Sequence, residues 1–247
     1  MDLIHRRLHF RTTWTPSFPT SSGAVSPLAW WDANTLTGLS DGDAVQYWTD
    51  RVSGTYTTNQ TEAARRPTYK TNIINGNPAI LFTSSSTQRL PFTSIVGKSY
   101  TIAAVVKLSD NSVNRLILCG GGTGSLNIQF GMATANKITS YLPESTATSD
   151  TCYTAWNTNK AVMLNRLSNT TVKFFENGYT RSANLTVPNV NGSFGMIGCL
   201  YLLGSYYDYF NGYIAEIIVY SSSLSSSDSY QVNAYLCNKY GITILGA

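Results

Sequence analysis

Charge is what this 247-residue chain has least of. Asp, Glu, Lys and Arg together make up 12% of it, roughly half the usual share. The net charge of +4 is small and scattered, which argues against a nucleic-acid partner. Histidine is scarcer still: His5 and His9 are the only two. A serine or cysteine nucleophile needs a neighbouring base, and outside the first nine residues there is no imidazole to serve. His5 and His9 stand four apart, a spacing that can share a metal on one helix face, but no third ligand is near and no metal site is expected. The four cysteines, Cys119, Cys152, Cys199 and Cys237, have no C-x-x-C spacing, so zinc is not expected either. They are read as free, buried thiols; disulfides would allow three pairings that spacing cannot choose between. No segment is long and apolar enough to span a membrane.

What is present is β-forming material. Hydrophobic residues make up 43% of the chain, enough for a substantial core. Polarity comes from Ser, Thr, Asn, Gln and Tyr, which suit solvent-facing strands and turns. The stretch from Tyr213 to Tyr220 is β-branched and aromatic, and Asn211-Gly212 leads into it. Alternation places Tyr213, Ala215, Ile217 and Val219 on one face and Ile214, Glu216, Ile218 and Tyr220 on the other. Both faces are mostly apolar, as in a central strand covered on two sides. A helix follows over 226–240. Ser225 and Asp228 give a loose capping-box spacing, and Gly241 is a good stop.

Other strands are predicted over 100–106, 115–119, 126–132, 137–142, 161–167 and 172–176, with a strand pair in 193–203. Asn177-Gly178 marks a tight turn and the glycine run at 120–125 a hairpin turn. No fixed repeat period appears, which favours a sandwich over a propeller. Residues 1–26 read as an extended N-terminal arm ahead of a domain over 27–247. Arg6, Arg7 and Arg11 make the arm basic, and Leu8 and Phe10 make it sticky. Pro16, Pro19 and Ser21-Ser22-Gly23 are expected to keep it free of regular structure.

Several fragments occur in a telling order. They are Trp30-Trp31-Asp32-Ala33, then Val45 to Asp50, Arg66-Pro67-Thr68-Tyr69, Asn75 to Phe82, and finally Gly212 to Tyr220 with Leu224-Ser225 and Tyr235 to Ile242. This series resembles the concanavalin A-like (laminin-G-like) β-sandwich domains found in bacterial surface and phage structural proteins. The resemblance implies an all-β, two-sheet antiparallel jelly-roll sandwich with one short C-terminal helix. It implies W-x-D-A and V-x-x-W-x-D strands early in the chain. It does not imply one function. Glucanases of this fold place their carboxylate pair in an E-x-D-x-x-E run, which this chain lacks. The expectation is therefore a non-catalytic protein.

Two functional expectations follow. In the first, the chain is a virion component, a capsid decoration or a tail or fibre part. Its arm (Arg6, Arg7, Leu8, Phe10, Arg11) would dock on neighbouring subunits in a homo-oligomer. The N-terminal MDLIHRRLHFRTTW has no apolar signal-peptide core, so synthesis in the host cytoplasm and display on the virion surface are expected. In the second, the chain is a lectin-like module for surface glycans. Tyr153 and Trp156, in a loop read as Asp150 to Trp156, and Tyr206, Tyr207, Asp208 and Tyr209 are the candidate binding residues for a glycan or a protein partner. Trp30, Trp31 and Trp48 are read as core. Asp32 and Asp50 are read as turn caps; a structural calcium ion is the alternative, disfavoured by the lack of a dense oxygen-ligand cluster. No other cofactor is expected.

Overall fold

A computed structural model of the chain describes residues 18–20, 23–120, 128–142, 145–168, 170–189 and 191–246. Strands β1 (Phe18–Thr20) and β2 (Gly23–Val25) pair as a small antiparallel hairpin. Residues 1–17 lie outside the described residues; for the part of the arm in this hairpin, the expectation of no regular structure is corrected. Pro19 is tolerated there because a two-stranded pair leaves outward-facing positions that need no N–H donor. Next come β3 (Ala29–Asp32), β4 (Thr68–Ile74), β5 (Asn77–Phe82), β6 (Leu90–Gly97), β7 (Thr101–Leu108) and β8 (Arg115–Cys119). They are followed by β9 (Gln129–Ala133), β10 (Lys137–Leu142), β11 (Ser145–Thr151), β12 (Lys160–Ser168), β13 (Thr171–Glu176) and β14 (Tyr179–Thr180). The series ends with β15 (Leu185–Thr186), β16 (Gly192–Ile197), β17 (Leu200–Leu202), β18 (Ser205–Tyr207), β19 (Gly212–Tyr220) and the helix α1 (Ser226–Lys239).

Apart from the β1–β2 and β17–β18 hairpins, the strands form two antiparallel sheets. The smaller runs β11-β10-β9-β8-β16-β6. The larger runs β14-β13-β12-β7-β19-β5-β4, with β3 also on β19 and β15 also on β13. Strict alternation on β7 shows how the layers divide. Ile102, Ala104 and Val106 enter the core between the sheets, where they meet Ile117, Phe130 and Phe194 of the smaller sheet. Ala103 and Val105 point the other way, toward Val232, Leu236 and Cys237 of α1. The small side chains of Ala103, Ala161 and Ala215 leave room for the helix to lie on the sheet. The outcome is three layers: sheet, sheet and helix. Trp31 and Trp48 are fully buried between the sheets, and Trp30 lies under the helix.

The predicted faces of β19 hold only in part. The pairing with β7 slips between Ile214 and Glu216, so Ala215 is an extra residue. After this bulge, Ile217 and Val219 join Ile214 in the inner core, while Ala215, Ile218 and Tyr220 face the helix. A bulge flips every later side chain to the opposite face. Gly212 opens the strand at φ +143°, where a Cβ would come within 2.3 Å of the Lys107 carbonyl oxygen. Only glycine allows so close an approach.

The bulge turns Glu216 under the helix, where it is fully buried. Trp30 Nε1 donates to its Oε1 at 2.6 Å, Tyr235 donates from its hydroxyl at 3.2 Å, and Lys239 Nζ donates to its Oε2 at 2.6 Å. The same Lys239 nitrogen reaches Asp32 at 2.7 Å, and Arg51 reaches Asp32 at 2.9 Å. Burial pushes the Glu216 carboxyl above its usual range, with Lys239 opposing. The cap is as predicted: Ser225 Oγ accepts from the Asp228 N–H at 3.1 Å. A second tie comes from Asn165, whose amide donates to the Leu224 carbonyl at 2.7 Å and to Ser229 Oγ at 2.9 Å. The helix is thus fixed to the sheet by buried polar bonds at both ends.

Residues 45–50 are not a strand; single bridges join Ala44 to Thr68 and Asp50 to Trp31. The segment's backbone bonds are divided among several partners: Val45 N donates to the Pro67 carbonyl at 2.8 Å, Trp48 N to Thr58 Oγ1 at 2.7 Å, and the Trp48 carbonyl accepts from the Thr58 N–H at 3.0 Å. Asp50 and Asp32 are turn caps. Asp50 accepts from the N–H groups of Trp30, Val52 and Ser53, and Asp32 from that of Asn34. With Arg51 and Lys239 also on Asp32, neither carboxylate is left to hold calcium, and no acidic, histidine or cysteine cluster suited to a metal occurs among the described residues. The four cysteines are free and buried, and burial pushes the thiols of Cys152, Cys199 and Cys237 up to about 12. The glycine run from 121 and the arm residues Arg6, Arg7, Leu8, Phe10 and Arg11 lie outside the described residues.

Candidate functional site

Strand β13 anchors the site. This strand ends at Glu176, which is fully buried. Asn177 and Gly178 follow at φ +47° and +85°, the positive values a tight hairpin turn needs. The turn brings Tyr179 back opposite Glu176 and presents its ring at the surface, 43% exposed.

Glu176 also organises the loop of residues 152–159. It accepts from the N–H of Tyr153 at 2.6 Å and of Thr154 at 3.1 Å. Two buried cations balance it, Lys160 at 3.4 Å and Arg181 at 3.6 Å. Lys160 in turn donates to the carbonyls of Thr154 and Ala155, both at 2.7 Å. Burial lowers the Lys160 pKa, with Glu176 as the main opposing influence. The loop is therefore held by backbone bonds to one buried ion cluster, and this leaves Tyr153 outside. Its ring is 63% exposed, with the Arg181 guanidinium 3.7 Å from its centre and Tyr179 at 5.6 Å, edge-on.

Beside this tyrosine pair lies a cleft of about 270 Å³. Asn75, Thr154, Thr158, Asn159, Asn177 and Thr243 supply its polar lining. The residues after α1 form one wall. Leu245 donates its N–H to the Asn177 carbonyl at 2.9 Å, and a Cβ on Gly246 would meet the Tyr179 ring at 2.8 Å. Most polar atoms here already have protein partners; Asn177 Oδ1, for one, accepts from the Ala161 N–H at 2.8 Å. The side-chain amide oxygen of Asn159, Oδ1, has none, although it is buried.

The structure divides the candidate residues into two groups. Tyr153 belongs to the cluster just described. Asp150 is in β11 rather than in the loop, because the strand runs on to Thr151. Trp156 is half-buried and packs on the inner core, so it props the loop instead of offering an open ring. Tyr206 and Tyr207 lie on the β17–β18 hairpin, which packs through Leu200 and Leu202 on Leu116 and Cys119. Tyr206 is engaged within the protein, with Arg89 over its ring at 3.9 Å and Tyr201 at 4.7 Å. Tyr207 is 49% exposed. Asp208 takes φ +48° in the connection to β19, and partial burial raises its carboxyl pKa. The Tyr209 carbonyl accepts from Arg115 at 2.9 Å. The ring partners of Tyr153 and of Tyr206 do not overlap.

Tyr179, Asn159, Asn75 and Thr243 were not candidates from the sequence. A tyrosine directly after an Asn-Gly turn was a legible signal for Tyr179, since a tight hairpin exposes the residue that follows it. The others come from segments distant in the chain, and nothing local marks them.

Two antiparallel sheets around one core and a helix laid on the larger sheet, with a polar cleft near an exposed tyrosine pair, define a β-sandwich domain of concanavalin A-like architecture. The chain belongs to the concanavalin A-like lectin/glucanases superfamily, whose Laminin_G_3 model matches residues 82–228. Among curated proteins none matches the sequence. In shape the chain is similar to domain 4 of AbnA, a GH43 extracellular arabinanase from Geobacillus stearothermophilus, solved in complex with arabinotriose. The TM-score is 0.57 at 14% identity, over 85% of this chain and 98% of that one. It is also similar to the CBM40 of the Ruminococcus gnavus IT-sialidase, solved bound to α2,3 sialyllactose. There the TM-score is 0.47 at 21% identity, over 55% of this chain and 82% of that one. At these identities the likeness concerns the fold.

Proposed function

We propose that this chain is a non-catalytic carbohydrate-binding module whose site is the Tyr153–Tyr179 pair and the adjoining cleft. One observation carries the reading: two exposed tyrosine rings stand beside a cleft lined by amides and hydroxyls. A sugar has an apolar C–H face and a rim of hydroxyls. Aromatic rings pack on the first, and Asn and Thr side chains bond the second in both directions. Membership of a superfamily that includes lectins supports the reading, as does a shared fold with an arabinotriose-bound domain.

Binding rather than catalysis fits the carboxylates. Glycoside hydrolysis uses two of them flanking the bond. Here Asp32 and Glu216 share Lys239 beneath the helix, and Glu176 holds the 152–159 loop by its backbone. The virion-component expectation draws no support from the related folds, and its docking arm lies outside the described residues.

The test is a glycan array followed by titration calorimetry, on the native sequence and on Tyr153→Ala and Tyr179→Ala. Each substitution should weaken binding by about tenfold or more, as loss of an aromatic anchor does. Tyr179→Ala should shift stability by no more than roughly 0.5 kcal/mol, as expected of a surface position. Undiminished binding by both variants would place the site elsewhere.

A further inference from the structure

We infer that the cleft accepts a single neutral sugar residue and discriminates against acidic sugars, an inference that rests on the glycan-binding reading above. The first ground is size. A volume of about 270 Å³ falls below the roughly 300–1,000 Å³ of drug-sized ligand pockets. That suits one ring, with the rest of a chain outside on the tyrosines.

The second ground is charge. Every lining residue is neutral: Asn75, Thr154, Thr158, Asn159, Asn177 and Thr243 with Gly241, Ile242 and Leu245. The nearest cations are committed. Lys160 is buried behind the lining, where it donates to the Thr154 and Ala155 carbonyls and to the hydroxyls of Thr154 and Thr158 and pairs with Glu176; Arg181 pairs with Glu176, donates to the Thr151 carbonyl and lies over Tyr153. A carboxylate drawn into the cleft would leave water without gaining a charged partner, which is unfavourable. A hydroxyl meets no such penalty.

The third ground is Asn159. Its side-chain carbonyl is buried and unbonded, and an unmet buried acceptor is costly. A sugar hydroxyl both donates and accepts, so it satisfies the amide in either orientation. Asn159 also lines the cleft, so a neutral sugar seated against it would supply the missing partner once the amide turns toward it.

The experiment compares matched glycans that differ only in an acidic cap, lactose against 3′-sialyllactose, with arabinotriose as a second neutral probe. Asn159→Ala is measured alongside, with its melting temperature as the folding control. Tighter binding of the neutral probes, weakened roughly 3- to 10-fold by Asn159→Ala, is the expected result. Tighter binding of sialyllactose would overturn the inference and leave the glycan module standing. Neutral binding unchanged in Asn159→Ala would remove the sugar from this cleft and overturn it too. No binding by these probes or by any array glycan would sink both readings together. If Asn159→Ala fails to fold, Thr243→Val, also in the cleft lining, takes its place, with the same expected loss.

Discussion

Removing the Glu176 carboxylate should cost the domain much of its stability and loosen the Tyr153 loop at the same time. Glu176→Ala deletes the acceptor for two backbone N–H groups and leaves Lys160 and Arg181 buried without their counter-charge. Breaking a buried pair from one side costs about 3–5 kcal/mol, against a total of about 5–15 kcal/mol for a domain. At roughly 2–4 °C per kcal/mol for a chain of this length, the melting temperature should fall by about 6–20 °C. Glu176→Gln keeps an acceptor oxygen but not the charge, and should lose less. Its deficit should also depend on pH. Burial holds the folded Lys160 pKa below its ordinary 10.5. Between those two values the unfolded chain binds more protons, so stability rises with pH across that window. Without the Glu176 charge the window extends to lower pH. The deficit of Glu176→Gln should therefore shrink as pH rises toward 10.5. Thermal and urea unfolding from pH 7 upward, followed by circular dichroism, measures both effects. A loss under about 1 kcal/mol for Glu176→Ala would refute the claim that a buried ion cluster holds the loop.

Three further predictions concern the rest of the fold. Lys239→Met strips the shared cation from Asp32 and Glu216 and should destabilise by about 3–5 kcal/mol in urea unfolding. In the native sequence the raised Glu216 pKa makes stability fall as pH rises from 4.5 toward the folded value, and Glu216→Gln should flatten that slope. All four cysteines are buried, so a thiol reagent should label none of them in the native protein and all of them in denaturant. Rapid labelling of native protein would contradict the packing around Cys119 and Cys237.

Much of the architecture was legible because it rests on short-range physics. The apolar run over 100–106 read as a strand and is found as Thr101–Leu108, and the Ser225 cap with Gly241 bounded the helix almost to the residue. Strand β6 was missed: Leu90–Gly97 carries Pro91, Thr93 and Ser94, and its pattern is too polar to stand out. β11 was missed for the same reason, being almost wholly Ser, Thr and Asp. Both are outermost in the smaller sheet, where one neighbouring strand supplies the hydrogen bonds and few apolar residues are needed.

By itself the sequence determined the class of fold: all-β, capped by one helix and poor in charge. Composition, alternation and capping act over a few residues, and a reader of the chain meets them directly. Only the tertiary structure decided which aromatics face water and what stands beside them. Trp156 turned inward and Tyr179 outward, because the loop follows its bonds to Glu176 and the hairpin follows its Asn-Gly turn. The bulge at Ala215 sent Glu216 under the helix, where the strict alternation of β19 would have placed Ile217. The cleft joins Asn75, Asn159, Asn177 and Thr243 from four separate segments. Chain closure over such distances is set by the packing of two sheets and a helix, and no local pattern records it.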